Sequence, residues 1–238
     1  VLRGWVVVGS EAQNRGDLPL QGVSANIRQP QINLDAWSAA LSDATGMSLG
    51  GMAATSGASY LPDRVNLQTD TLNFGGRNYH RVQLGASRQG PLWRVNLDAS
   101  ELNGYLEYRQ ASDAAASAAR VFARLTRLSI PASSEQEVED WLDVAPTSIP
   151  ALDIVVDNFE LGARQLGRLE VEAINRTDAA LGVREWRLNK FNLVLPEARW
   201  TANGNWARAG QSGAVQDRRR TVMNFKLDIT DAGALLSR

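Results

Sequence analysis

Apolar and polar residues alternate with a period of two along most of this chain, and that period predicts β-structure. In "IPALDIVVDNFELGARQLGRLEVEAIN" (149–175), Leu152, Ile154 and Val156 alternate with Asp153, Val155 and Asp157. After a Gly-containing break, Leu169, Val171 and Ala173 alternate with Glu170 and Glu172. This reads as a strand, a turn and a returning strand, each with one apolar and one largely polar face. The device appears earlier too. From Arg64, Val65, Leu67 and Thr69 share one side, the pattern breaks at Gly75-Gly76, and Val82, Leu84 and Ala86 return. "LWRVNLDAS" sets Trp93, Val95, Leu97 and Ala99 against Arg94, Asn96 and Asp98; "LNGYLEYR" adds Leu102, Leu106 and Tyr108. Near the end, Met223, Phe225, Leu227 and Ile229 oppose Asn224, Lys226 and Asp228.

Between these runs the period changes. "GWVVVGSEA" and "LPLQGVSANI" read as strands; in "INLDAWSAALSDATG", Asp35 is placed to cap a short helix burying Ala36, Trp37, Ala40 and Leu41. "GMSLGGMAATSGASYLPD" has no period and predicts a loop. In "SDAAASAARVFARLTRLSI", Ala118, Val121, Leu125 and Leu128 fall on one helical face. Arg120, Arg124 and Arg127 fall on another, so a helix is expected there, its arginines either solvated or facing lipid headgroups. Ser134 and Glu137 have capping-box spacing ahead of Val138, Trp141 and Leu142. "TDAGALLSR" opens another helix.

An internal repeat joins the two clearest strand pairs. Asp70, Phe74, Gly75, Arg77, Arg81, Val82 and Leu84 match Asp157, Leu161, Gly162, Arg164, Arg168, Leu169 and Val171 at a constant offset of 87 (157 − 70), and "WRVN" at Trp93 is echoed by "WRLN" at Trp186. The expected organisation is one continuous unit with three parts. Residues 1–63 form the strand-helix-loop end of a preceding module, 64–149 a β-meander with two helices, and 150–238 a second, similar module. The fold class is mainly β: repeated antiparallel, strongly twisted sheet modules forming an open apolar groove, with a few short helices at the ends or over the opening.

Composition narrows function mostly by exclusion. The net charge of −1 leaves no basic excess for nucleic acid. There is no cysteine, hence no disulfide and no thiolate chemistry. The only histidine, His80, reads as a surface residue in a turn before a strand. No P-loop, H-E-x-x-H, G-x-S-x-G or dinucleotide fingerprint is present, so no enzyme and no cofactor are expected. Glu135, Glu137, Glu139 and Asp140 cluster where a helix dipole favours acidic side chains. The loop 218–220 and the sequon at Asn175 suggest no site. The tryptophans, Trp37, Trp93, Trp141, Trp186, Trp200 and Trp206 among them, either anchor a core or line an apolar cavity. No run of about 18 apolar residues is present. The chain starts without Met and ends within a helical pattern, so it reads as a piece of a longer protein. Cut strands would then expose edges open to self-pairing.

"INLDAWSAAL", "DWLDVAPTSIPALDIVVDNFELGARQLGRLEVEA", "WRLNKFNLVLPEARWTANGNW" and "MNFKLDITDAGALLSR" together resemble the C-terminal part of YhdP-type proteins, a branch of the AsmA-like group related in architecture to TamB. The resemblance runs from about Gly22 onward and is most specific from Asp140 to Arg238. It implies a periplasmic segment of a Gram-negative envelope protein, anchored to the inner membrane by a segment outside these residues. It further implies a bridge-like protein that shelters phospholipid acyl chains in an apolar β groove for transfer between inner and outer membrane. The implied partners are phospholipid acyl chains without specificity, the rest of the same long chain and outer-membrane components; no nucleic acid and no cofactor are implied. On that reading the candidate lipid-facing residues are Val65, Leu67, Val82, Leu84, Trp93, Val95, Leu97, Leu152, Ile154, Val156, Leu169, Val171, Trp186, Leu188, Phe225, Leu227 and Ile229. Two alternatives stand beside it: a lipid-free structural or interaction module of the envelope, and a sugar-binding β domain using Trp200 and Trp206.

Overall fold

The computed structural model describes residues 3–9, 22–37, 62–111, 118–131, 149–177, 184–208 and 219–237. Most of the predicted loop over 46–63, the capping-box helix at 134–142 and Arg218 lie outside them; Arg219 and Arg220, expected in a loop, begin the strand Arg219–Ile229. The chain divides into two compact units, Val1–Gln110 and Ala111–Arg238.

The first unit is an open sheet. β1 (Arg3–Gly9) pairs parallel with β2 (Gly22–Arg28), and β2 parallel with β4 (Arg64–Phe74). The short β3 (Gln31–Asn33) continues the parallel pairing along β4. An antiparallel meander follows: β4, β5 (Arg77–Gln89), β6 (Leu92–Asp98) and β7 (Leu102–Arg109). Its buried cluster is Ile32, Leu67, Leu72, Val82 and Ala99, with Leu34 from a short helical turn packed on it. That turn is capped by Asn33, whose Oδ1 accepts from Ala36 N at 2.8 Å. Asp35, the expected cap, instead accepts from the amides of Gly75 and Gly76, each at 2.9 Å, and ties the turn to the β4–β5 hairpin tip. Both glycines have positive φ (60° and 70°), which turns their amides to a common point.

The second unit repeats the plan. β8 (Arg120–Ile130) pairs parallel with β9 (Ala151–Leu161). The meander continues through β10 (Arg164–Thr177), β11 (Arg184–Val194), β12 (Ala198–Arg208) and β13 (Arg219–Ile229). A helix, Ala232–Leu236, is capped by Asp231. The offset of 87 is reproduced in the elements: β4 and β5 start at 64 and 77, β9 and β10 at 151 and 164.

Two expectations are corrected. Residues 120–130 are a strand, not a helix. Val121, Ala123 and Leu125 alternate with Phe122, Arg124 and Thr126, and pairing with β9 overrides the helical spacing of the arginines. His80 lies inside β5, not in a turn before it. Its backbone N–H donates to Glu101 Oε2 at 2.9 Å, and its Nδ1 is 2.6 Å from Glu101 Oε1.

In both units the alternation reverses at the same repeat position. Val65, Leu67 and Thr69 point one way on β4, and past Asp70 the inward residue is Leu72; opposite, Arg81 takes φ 54°. On β9 the break falls at Asp157, and Arg168 of β10 closes it with a 2.6 Å ion pair.

Candidate apolar sheet face

Directly opposed residues of a sheet share a face, so the registers assign every side chain. In the second unit three rows cross all six strands. The first is Val121, Leu152, Ala173, Leu188, Gly204 and Met223. The second is Ala123, Ile154, Val171, Phe191, Ala202 and Phe225. The third is Leu125, Val156, Leu169, Leu193, Trp200 and Leu227. No position in these rows carries a polar side chain. Six strands at the usual spacing make each row about 24 Å long.

A bulge keeps the rows in phase. β11 inserts a residue between Leu188 and Phe191, so Asn189 and Lys190 fall between two inward residues. Gly167 (φ 89°) serves β10 similarly: a Cβ there would lie 2.2 Å from Val194 O.

The ion pairs lie on the opposite face. Arg124 pairs with Asp153 at 2.8 Å. Asp157, Arg168, Glu170 and Lys190 form a chain with links of 2.6, 3.0 and 2.6 Å. Asn192 donates to Glu170 Oε2 (3.3 Å) and accepts from Arg199 (2.9 Å). Hydrogen bonds from Lys190 and Arg168 pull the Glu170 carboxyl down to about 2.

Exposure along the rows is graded. Val156 is 0% and Ala173 1% exposed, whereas Phe225 is 65% and Leu227 55% exposed. Trp200 stands at the transition. Its ring contacts Phe191 edge-on (centroids 5.2 Å apart) and Phe225 at 6.5 Å. Trp186 anchors an end of the face by donating from Nε1 to Pro150 O at 3.1 Å.

The first unit carries two such rows: Val6, Ala25, Val65, Ala86, Val95 and Leu106; and Val8, Ile27, Leu67, Leu84, Leu97 and Gly104. Val82 lies beside them, paired with Thr69. At one end the face is not free of charge. Arg88 lies over the Trp93 ring at 5.7 Å and pairs with Asp63 at 3.3 Å. The groove was expected to be apolar; here an ion pair on an aromatic platform stands at its end.

The structure thus puts Val65, Leu67, Val82, Leu84, Trp93, Val95 and Leu97 on one face of the first unit. Leu152, Ile154, Val156, Leu169, Val171, Trp186, Leu188, Phe225, Leu227 and Ile229 share one face of the second. Sequence reasoning missed Val121, Ala123 and Leu125, because their segment read as helix. It also missed Phe191 and Leu193, because the bulge shifts their parity. The period-two spacing of 121, 123 and 125 was the available signal.

Among the described residues no helix is long and apolar enough to cross a membrane. No curated protein and no solved structure matches the chain. A family model described as "YhdP protein" matches residues 1–238, the whole length. The chain therefore belongs to the YhdP family, bacterial envelope proteins of a transport and structural rather than enzymatic kind.

Proposed function

We propose that the apolar sheet faces shelter phospholipid acyl chains, and that the chain acts in the periplasm as a segment of a path between inner and outer membrane. The observation that carries this reading is the set of three uninterrupted apolar rows, continuous over six strands and open to solvent at Phe225 and Leu227. Sheltering a 16-carbon chain is worth on the order of 13 kcal/mol at ~0.8 kcal/mol per methylene. A path must supply that shelter evenly, without polar groups that would hold one lipid in place. Further β modules and outer-membrane components are the partners this function requires. The alternative, a lipid-free structural module, draws support from Val156 and Ala173, which the protein's own side chains already cover.

Native mass spectrometry with organic extraction of the co-purifying material tests the proposal. Bound phospholipid is expected. Leu227→Asp, a charge on an exposed position that the fold tolerates, should lower occupancy about tenfold, the equivalent of ~1.4 kcal/mol. A folded protein that neither carries nor takes up phospholipid favours the structural module.

A further inference from the structure

The two apolar rows of the first unit are bordered, at one end of the strands, by a row of a different kind. Arg88 is paired with Trp93, and Trp93 with Tyr108. These three keep the parity of Ala86, Val95 and Leu106, so their side chains lie on the apolar face. Asp63 completes the row: Arg88 N donates to its carbonyl at 2.7 Å, and its carboxylate meets the guanidinium at 3.3 Å. Gly22 keeps that carboxylate's place open, since a Cβ there would collide with Asp63 Oδ2.

The second unit has the same row at the same offset of 87, with Pro150 in place of Asp63 and Asn175 in place of Arg88, continued by Trp186 and Trp206. There the polar groups close on the protein itself. Asn175 Nδ2 donates to Ile149 O at 3.0 Å, and Trp186 Nε1 to Pro150 O at 3.1 Å. The first unit differs in two ways. It places opposite charges in the row, and the buried Nε1–H of Trp93 has no acceptor among the described residues. A buried donor without an acceptor is costly, and an oxygen of a bound molecule would relieve it.

We propose that this row receives a phospholipid headgroup, its phosphate on Arg88 and its ammonium on Asp63, so that the first unit prefers an ethanolamine headgroup to a glycerol one. The proposal rests on the acyl-chain reading above. A guanidinium presents its donors in a planar fork that suits phosphate oxygens, and Trp93 Nε1 supplies one more. Trp and Tyr, apolar in body and polar at the tip, suit the level where acyl chains end and headgroups begin. The charges of Arg88 and Asp63 cancel, as do those of phosphoethanolamine. A phosphoglycerol headgroup matches Arg88 but brings its negative charge to Asp63 with no ammonium to offset it. The row borders the apolar rows without crossing them, so the chains keep an even path while the headgroup is read at its margin.

The test offers the 238-residue protein mixed vesicles with equal amounts of dioleoyl phosphatidylethanolamine and dioleoyl phosphatidylglycerol, and counts bound lipid by native mass spectrometry. The ethanolamine lipid should be enriched about fivefold, the effect of one modest ion pair. Asp63→Asn keeps an acceptor for Val23 N but loses the charge, and should abolish the enrichment. Trp93→Phe removes a donor that the fold leaves unused. It should lower ethanolamine-lipid occupancy about threefold with the melting temperature unchanged. Equal uptake of the two lipids overturns this proposal and leaves the acyl-chain reading standing; uptake of neither overturns both. Enrichment that persists in Asp63→Asn also overturns it. So does competition by water-soluble glycerophosphoethanolamine at the lipid's own concentration, which would make the row a site for a free solute.

Discussion

Individual residues show what sequence discloses about polar groups and what it withholds. That Glu170 faces water follows from its place between Leu169 and Val171. That it accepts from Arg168, Lys190 and Asn192 does not, because Lys190 reaches it only through the bulge at Asn189. Its folded pKa lies below the ordinary glutamate value near 4.3, so its contribution is complete above that value and is lost as pH falls toward about 2. Glu101 behaves the same way: burial alone would raise its pKa, but hydrogen bonds from His80 prevail and lower it. Unfolding followed from pH 6 to 2 should show Glu170→Gln losing less stability on acidification than the parent. Asp35 looked like a helix cap because its carboxylate precedes an apolar turn; it serves a hairpin forty residues away. Asp35→Ala should cost about 1 kcal/mol, read as a drop in melting temperature of about 2–4 °C.

At the scale of elements, the meander strands were legible because one face of each is wet, which prints a period of two. β8 was not. Its arginines at 120, 124 and 127 imitate a helical stripe, although Arg124 pairs with Asp153 across the sheet and stacks on Phe122 at 4.1 Å. Local spacing cannot separate these cases; a neighbouring strand in register can. Bulges were equally hidden, since Gly167 and Asn189 differ from ordinary strand residues only in backbone course. Gly167→Ala combines a positive φ with a clash on Val194 O and should destabilise the second unit by about 2 kcal/mol or more, measured by urea denaturation. Gly76→Ala, with open space around its Cβ, should cost less despite its own positive φ.

On the scale of each whole unit, the repeat of 87 residues announced two hairpins of equal construction, and the strand boundaries agree to the residue except that β10 ends one residue later than β5. What sequence could not supply was the partition of the apolar face between core and surface. Val156 and Phe225 belong to equivalent alternating runs, yet one is covered and the other mostly exposed. That difference comes from how many strands lie on either side.

Both units share a chain order in which a strand is joined in parallel to the meander that follows it. β9 to β13 are local neighbours linked by turns, whereas β8 meets β9 only after the crossover from Ile130 to Ala151 closes. Closing that loop costs entropy before any contact repays it, so time enters the architecture. The meander is the fast-forming half, and β8 is the late arrival that completes it. Pulse-labelled hydrogen exchange during refolding should find amides of β10 and β11 protected before those of β8. Simultaneous protection would mean that the parallel pair forms within the nucleus itself.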